Sequence, residues 1–182
     1  MRLKFLALFL VLALVCVSMI GCDRISFTDP AVKRRESISK YIDGNIPQAK
    51  DVAAETGKTY NTKWFDFTIH SIDKTDAYGG YKTKEGNQLY NVLITLKSTC
   101  DEPIPMGTFD FYLDAPDFAE YIWPIPPLDD TMMPEKYDLA PGEAVQYIML
   151  FEVPTDTAGL ILSYTETADN GVDGATFSIA VE

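Results

Sequence analysis

Six stretches of this 182-residue chain alternate apolar and polar residues with a period of two, and no stretch sustains a long amphipathic 3.6-residue period. Phe65, Phe67 and Ile69 alternate with Asp66, Thr68 and His70. Tyr90, Val92, Ile94 and Leu96 form a second set, and Phe109, Phe111 and Leu113 a third. Val145, Tyr147, Met149, Phe151 and Val153 form a fourth; Leu160, Leu162 and Tyr164 a fifth; Phe177, Ile179 and Val181 a sixth. Successive side chains of a strand point to opposite faces, so each set is one apolar strand face. Turn chemistry lies between the sets: Gly79-Gly80, Asp101-Glu102-Pro103, Ala140-Pro141-Gly142, and Asn170-Gly171 with Asp173-Gly174, the last a hairpin signal. Short strands with such turns predict an all-β fold, an immunoglobulin-like antiparallel β-sandwich over residues 62–182.

The covalent picture is set by three cysteines. Arg2 and Lys4 precede an uncharged apolar run from Phe5 to Ile20 that contains Cys16. Its 16 residues sit just above the ~7–15 of a signal-peptide core and below the ~17–25 of a comfortable membrane span. The run ends in Ser18-Met19-Ile20-Gly21-Cys22, which resembles the lipobox of bacterial lipoprotein precursors, although Met19 stands where leucine is commonest. That resemblance implies a signal peptide at 1–21, cleavage before Cys22, and covalent diacylglycerol and fatty acyl groups on Cys22. Multiple acyl chains anchor far better than one. Cys100 is then left alone, so the domain holds together by packing rather than by a disulfide. Residues 22–61 read as a lipidated tether with short helices. Asp29 caps a helix beginning at Pro30, Val32, Ile38, Tyr41 and Ile42 give it a thin apolar stripe, and Asp43-Gly44-Asn45 stops it. Pro47 starts a further turn or two through Ala49, Val52 and Ala53 to Gly57.

Charge is unevenly spread. The whole chain carries −12, and loss of Arg2 and Lys4 with the leader brings the mature protein to −14. Residues 22–97 hold 12 bases and 10 acids, whereas residues 98–182 hold Lys136 against 17 acids, a net of −16. Such a field repels phosphate backbones and excludes nucleic acid as a partner. It favours solubility, and it attracts divalent cations or a basic partner.

Leu139-Ala140-Pro141-Gly142-Glu143, followed by a strand that closes in Phe151-Glu152-Val153-Pro154, resembles a family of uncharacterised bacterial lipoproteins. Its members carry one telokin-like, immunoglobulin-like sandwich behind a lipobox and are similar to secreted immunoprotective antigens. Residues 90–98 resemble that family's central strand, with Ser98-Thr99-Cys100 where an Asn is common. The likeness covers about residues 62–182 and implies no catalytic residue.

The search for chemistry narrows quickly. His70 is the single histidine, on the polar phase of its strand, which excludes multi-histidine zinc and blue-copper sites. No Gly-x-Ser-x-Gly elbow, His-Glu-x-x-His helix or phosphate-binding glycine loop occurs, and the chain reads as a non-enzyme. Asp169, Asn170 and Asp173 place oxygen donors at the start of a calcium-loop pattern, but Ala180 stands where its bidentate acid belongs. Residues 114–138 are long for a loop and too apolar for disorder. They fold back over a sheet edge or present Tyr121, Ile122, Trp123 and Leu128 to a partner.

The expectation is a lipoprotein anchored on the extracytoplasmic face of the cell membrane, with a binding module for an unknown protein or envelope partner. The alternatives are a calcium-binding adhesion or envelope-stabilising protein, and a hydrolase using paired carboxylates. Purified from its host, the protein is expected to show by mass spectrometry an amino-terminal Cys22 bearing fatty acyl groups; an intact Met1 overturns the leader assignment.

Overall fold

A computed structural model describes residues 50–167 and 173–181; Cys22 and the helix expected from Pro30 lie outside them. Twelve strands are described: β1 Lys50–Ala53, β2 Thr59–Asn61, β3 Phe65–Thr75, β4 Ala77–Tyr78, β5 Tyr81–Lys82, β6 Asn87–Ser98, β7 Ile104–Met106, β8 Phe111–Asp114, β9 Tyr137–Leu139, β10 Ala144–Pro154, β11 Ile161–Thr167 and β12 Asp173–Ala180. One sheet runs β1-β12-β11-β8 and the other β10-β6-β3-β2, with β4-β5 and β7-β9 as small accessory pairs. The expected β-sandwich is the fold. Its strands are antiparallel except that β1 lies parallel to β12.

The alternation in the sequence maps onto the inner faces. Phe65, Phe67 and Ile69 of β3 and Val92, Ile94 and Leu96 of β6 are buried, as are Phe111 and Leu113 of β8, Leu162 and Tyr164 of β11, and Phe177 and Ile179 of β12. Gly79 and Gly80 both adopt positive φ, 53° and 87°, which lets β4 turn directly into β5. After the turn at Ala140-Pro141-Gly142, the Glu143 amide donates to the Ala140 carbonyl at 3.0 Å.

Three local expectations are corrected. Lys50–Ala53, read as part of a helical turn, is strand β1, with Val52 opposite Phe177. A one- or two-turn helix is marginal alone, whereas the edge of β12 offers a row of unpaired backbone groups. The sandwich therefore takes in β1 and β2 from the stretch assigned to the tether. Phe109 does not belong to the third strand set: it lies in a 3-10 turn, Thr108–Asp110, and is 43% exposed. There the Gly107 amide donates to the Asp110 carboxylate at 2.8 Å, winding the chain before β8 begins at Phe111.

The third concerns β10, whose alternation predicts one polar face, yet Leu150 is buried along with Met149 and Phe151. Leu150, Leu89 and Met132 form a second apolar cluster, with Ile148, Ile125, Tyr78 and Tyr81 packed against it. That strand is covered on both sides at this point, as a continuous apolar run should be.

The main core is knitted by rings. Phe67 lies 5.3 Å from Phe177, 6.1 Å from Tyr164 and 6.2 Å from Phe111 across the sandwich, and 5.7 Å from Tyr60 on its own sheet. The opposed rings meet edge-to-face, the favoured geometry of aromatic pairs. Glu166, buried at a register shift of β11, adds a polar pin: its carboxylate accepts from the Lys63 amide at 2.9 Å and the Ala175 amide at 3.0 Å. Lys63 joins β2 to β3 in one sheet and Ala175 lies in the other, so this side chain links the layers.

Phe67→Ala is expected to lose about 3–5 kcal/mol, by analogy with other buried aromatic truncations. Urea unfolding measures it, and a loss below about 1 kcal/mol would show that the ring cluster is not what holds the sheets together.

Candidate functional site

The long connection between β8 and β9 acts as a strap over both sheets. β8 is the edge strand of the first sheet, and Ile122 completes it. The Ile122 amide donates to the Leu113 carbonyl at 2.8 Å and the Leu113 amide donates back at 2.9 Å. The chain then crosses to β10, the edge of the second sheet. Here the Ile125 amide donates to Leu150, the Met133 amide to Ile148 and the Ile148 amide to Thr131, at 2.8, 2.9 and 3.0 Å. Pro124, Pro126 and Pro127 have no N–H to offer, so the segment cannot extend these contacts into a full ladder.

Two carboxylates secure the strap and its neighbouring hairpin. Asp129 accepts from the Thr131 amide at 2.9 Å and its hydroxyl at 2.6 Å, and these bonds hold its carboxyl below the ordinary carboxylate range. The Thr131 hydroxyl also meets the Tyr78 hydroxyl at 2.6 Å, tying the strap to the β4-β5 hairpin. Glu152 on β10 accepts from the Tyr81 hydroxyl, the Lys84 amide at 2.8 Å and the Asn87 side-chain amide at 2.9 Å. The Tyr81 bond is the main reason that Glu152 is held below its ordinary value and that the Tyr81 hydroxyl is raised above its own.

Pairing of Ile122 with Leu113 decides which strap residues face outward. Ile122 packs against the core, while Tyr121 and Trp123 on either side of it are 50% and 48% exposed. They join Tyr112, which stands outward on β8 between the buried Phe111 and Leu113. Ring centroids are 4.2 Å apart for Tyr112–Tyr121, 5.8 Å for Tyr112–Trp123 and 6.1 Å for Tyr121–Trp123. Phe109 adds its ring 6.4 Å from Trp123. The Tyr112 hydroxyl is bonded to Thr165 at 2.9 Å and its pKa is raised, chiefly by burial. The result is a surface cluster of four aromatic rings along the strapped edge of the first sheet.

Of the four residues singled out in the sequence, Tyr121 and Trp123 are in this cluster and Ile122 is turned away from it. Leu128 is 44% exposed, but it follows the crossing to β10 and its amide lies 3.2 Å from the Met132 sulfur. Phe109 and Tyr112 are the additions. Tyr112 was legible as the outward residue between two inward ones; Phe109 was not, because its position depends on the 3-10 turn.

The other candidates fall elsewhere. Asp169 and Asn170 lie outside the described residues, as does the side chain of Asp173. Among the described residues no group of three or more His, Cys, Asp or Glu side chains could hold a metal. His70 is exposed and its Nε2 is 2.8 Å from the Thr95 hydroxyl. Cys100 is half-buried with its thiol donating to the Trp64 carbonyl at 3.4 Å, and burial, with Asp101 and Glu102, raises its pKa.

This architecture defines a β-sandwich protein. No family model matches the chain, and no curated protein does. Solved structures do. A Bacillus subtilis protein described as a candidate lipoprotein, ycdA, superposes with a TM-score of 0.53 at 20% identity, covering 70% of this chain and 39% of that one. MPT63, a secreted protein of Mycobacterium tuberculosis, gives 0.53 at 11% identity, covering 71% of this chain and 98% of its own. The yjhA protein of Bacillus subtilis gives 0.50 at 13%, covering 70% and 98%. These identities establish a shared fold, and the chain spans about two fifths of the length of ycdA.

Because the Glu152 carboxyl is depressed in the folded state, its contribution is complete above its ordinary value of 4.5 and is lost as pH falls through the lower folded value. Thermal melts of the protein and of Glu152→Gln should therefore differ at neutral pH and converge in acid below 4.5; a constant difference down to strong acid counts against the hairpin clasp.

Proposed function

We propose that this chain is a lipid-anchored extracytoplasmic lipoprotein whose sandwich is an interaction module, docking an envelope partner through Phe109, Tyr112, Tyr121 and Trp123. The anchor rests on the lipobox at residues 18–22 and is supported by the likeness to ycdA and MPT63, described as a candidate lipoprotein and a secreted protein. No helix among the described residues is long and apolar enough to cross a membrane.

The observation that carries the docking role is the half exposure of Trp123 and Tyr121 in a chain segment whose backbone is fixed to both sheets. Large rings held at low conformational cost are the usual energetic anchors of protein interfaces. A core-building role would have buried them, and a mobile loop would not have pinned them. We read the module as a binding protein rather than an enzyme. The carboxylates of Glu152 and Glu166 are engaged by donors that join strands and layers.

The test is a pull-down from detergent-solubilised envelope with the tagged, full-length mature protein and its Trp123→Ala and Tyr121→Ala variants. Both rings are half-exposed but share ring contacts with Tyr112, so each truncation should cost about 0.5–1.5 kcal/mol. The expected outcome is loss of the specifically retained species by variants that still unfold in one cooperative transition well above the assay temperature. Equal recovery by all three proteins removes the cluster as the docking site.

A further inference from the structure

The exposed rings sit on the half of the sandwich that is nearly devoid of positive charge. β8, β11 and β12 contain no lysine or arginine. Lys50, on β1, lies at the opposite edge of that sheet from β8. Asp114 shares the outward phase of β8 with Tyr112, and Asp117 and Glu120 are exposed in the strap just before Tyr121. The other sheet is mixed, with exposed Lys74 on β3 and Lys97 on β6 beside the acids Asp66, Asp73 and Glu152. The aromatic cluster is distinguished by the absence of any base on β8, β11 and β12 and by Asp114, Asp117 and Glu120 beside it in the chain.

Ring faces carry negative quadrupolar potential and attract cations, tryptophan most strongly, and arginine is the most frequent partner. A guanidinium is planar and can lie flat on a ring while its N–H groups reach carboxylates at the rim. Trp123 stands at 87° to Tyr121 and 61° to Tyr112, so the cluster presents faces in more than one direction. An acidic or phosphorylated partner would be repelled from the same surface. We propose that the occupant is an arginine-bearing basic segment of a partner protein, its guanidinium groups on Trp123 and Tyr121 and its counter-charges Asp114, Asp117 and Glu120. This inference rests on the docking role of the cluster and assigns the chemistry of what docks.

The test titrates the full-length mature protein, in detergent, with an octa-arginine peptide at low ionic strength by calorimetry. Tryptophan emission is followed in parallel, where the exposed Trp123 responds and the buried Trp64 does not. Trp123→Ala should weaken binding by about fivefold or more and Trp123→Phe by less, following the ranking of rings for cations. Asp114→Asn should weaken it by roughly threefold, whereas Asp73→Asn on the opposite sheet should leave it within about twofold. Octa-arginine binding Trp123→Ala as tightly as the unaltered protein would reveal only general charge attraction and overturn the proposal. Neutral chitohexaose binding through Trp123 in place of octa-arginine would overturn it too while keeping the docking role; loss of the docking role itself is read separately, from equal envelope pull-downs.

Discussion

The contact of Phe67 with the rings of Phe111, Tyr164 and Phe177 is the interaction on which the rest of this structure depends. Phe67 lies on β3, and its three partners come from β8, β11 and β12 of the facing sheet. Cys100 is a free thiol, so no covalent bridge joins the described parts of the two layers. What a disulfide does in many secreted sandwiches is done here by interlocked aromatic area, with the buried Glu166 supplying two directional hydrogen bonds at one side. Every surface feature is referenced to this stack, because the outward residues of β8 are fixed by the inward ones.

The strap follows from the same geometry. A sandwich built from two open sheets has edges whose unpaired backbone groups invite association. Residues 122–133 close the β8 edge and the β10 edge in one passage, using a few backbone bonds rather than a full strand. Ile122 must point inward to meet the core, and in an extended segment its neighbours must then point out. Exposure of Tyr121 and Trp123 therefore follows from edge protection, and it sets them beside the outward Tyr112 of β8. Covering an edge and leaving rings exposed, which look like competing fates for an apolar loop, are two sides of one extended segment.

Much of the fold was legible because alternation is a local signal. The inner faces of β3, β6, β11 and β12 could be read residue by residue, as could the Gly79-Gly80 turn. What could not be read was non-local. β1 exists because the edge of β12, more than a hundred residues later, accepts it. Leu150 is buried on a nominally polar face because the strap and the β4-β5 hairpin arrive there from elsewhere in the chain. The site shows the same division: Trp123 and Tyr121 stood out by size and context, Tyr112 was not singled out although its phase marked it as outward, and Phe109 was displaced by a turn whose winding depends on Asp110. Leu128 shared the composition of the strap without sharing the location of the cluster.

The parallel pairing of β1 with β12 has a mechanical consequence. Lys50 is in register with Ala175 and Ala53 with Ser178, so both strands run the same way over four paired positions. A pull on the amino-terminal side of β1 along the strand axis would load that ladder's hydrogen bonds together in shear, instead of peeling them apart one at a time. Under such a load the first strand would act as a splice between the preceding chain and the ring-filled body.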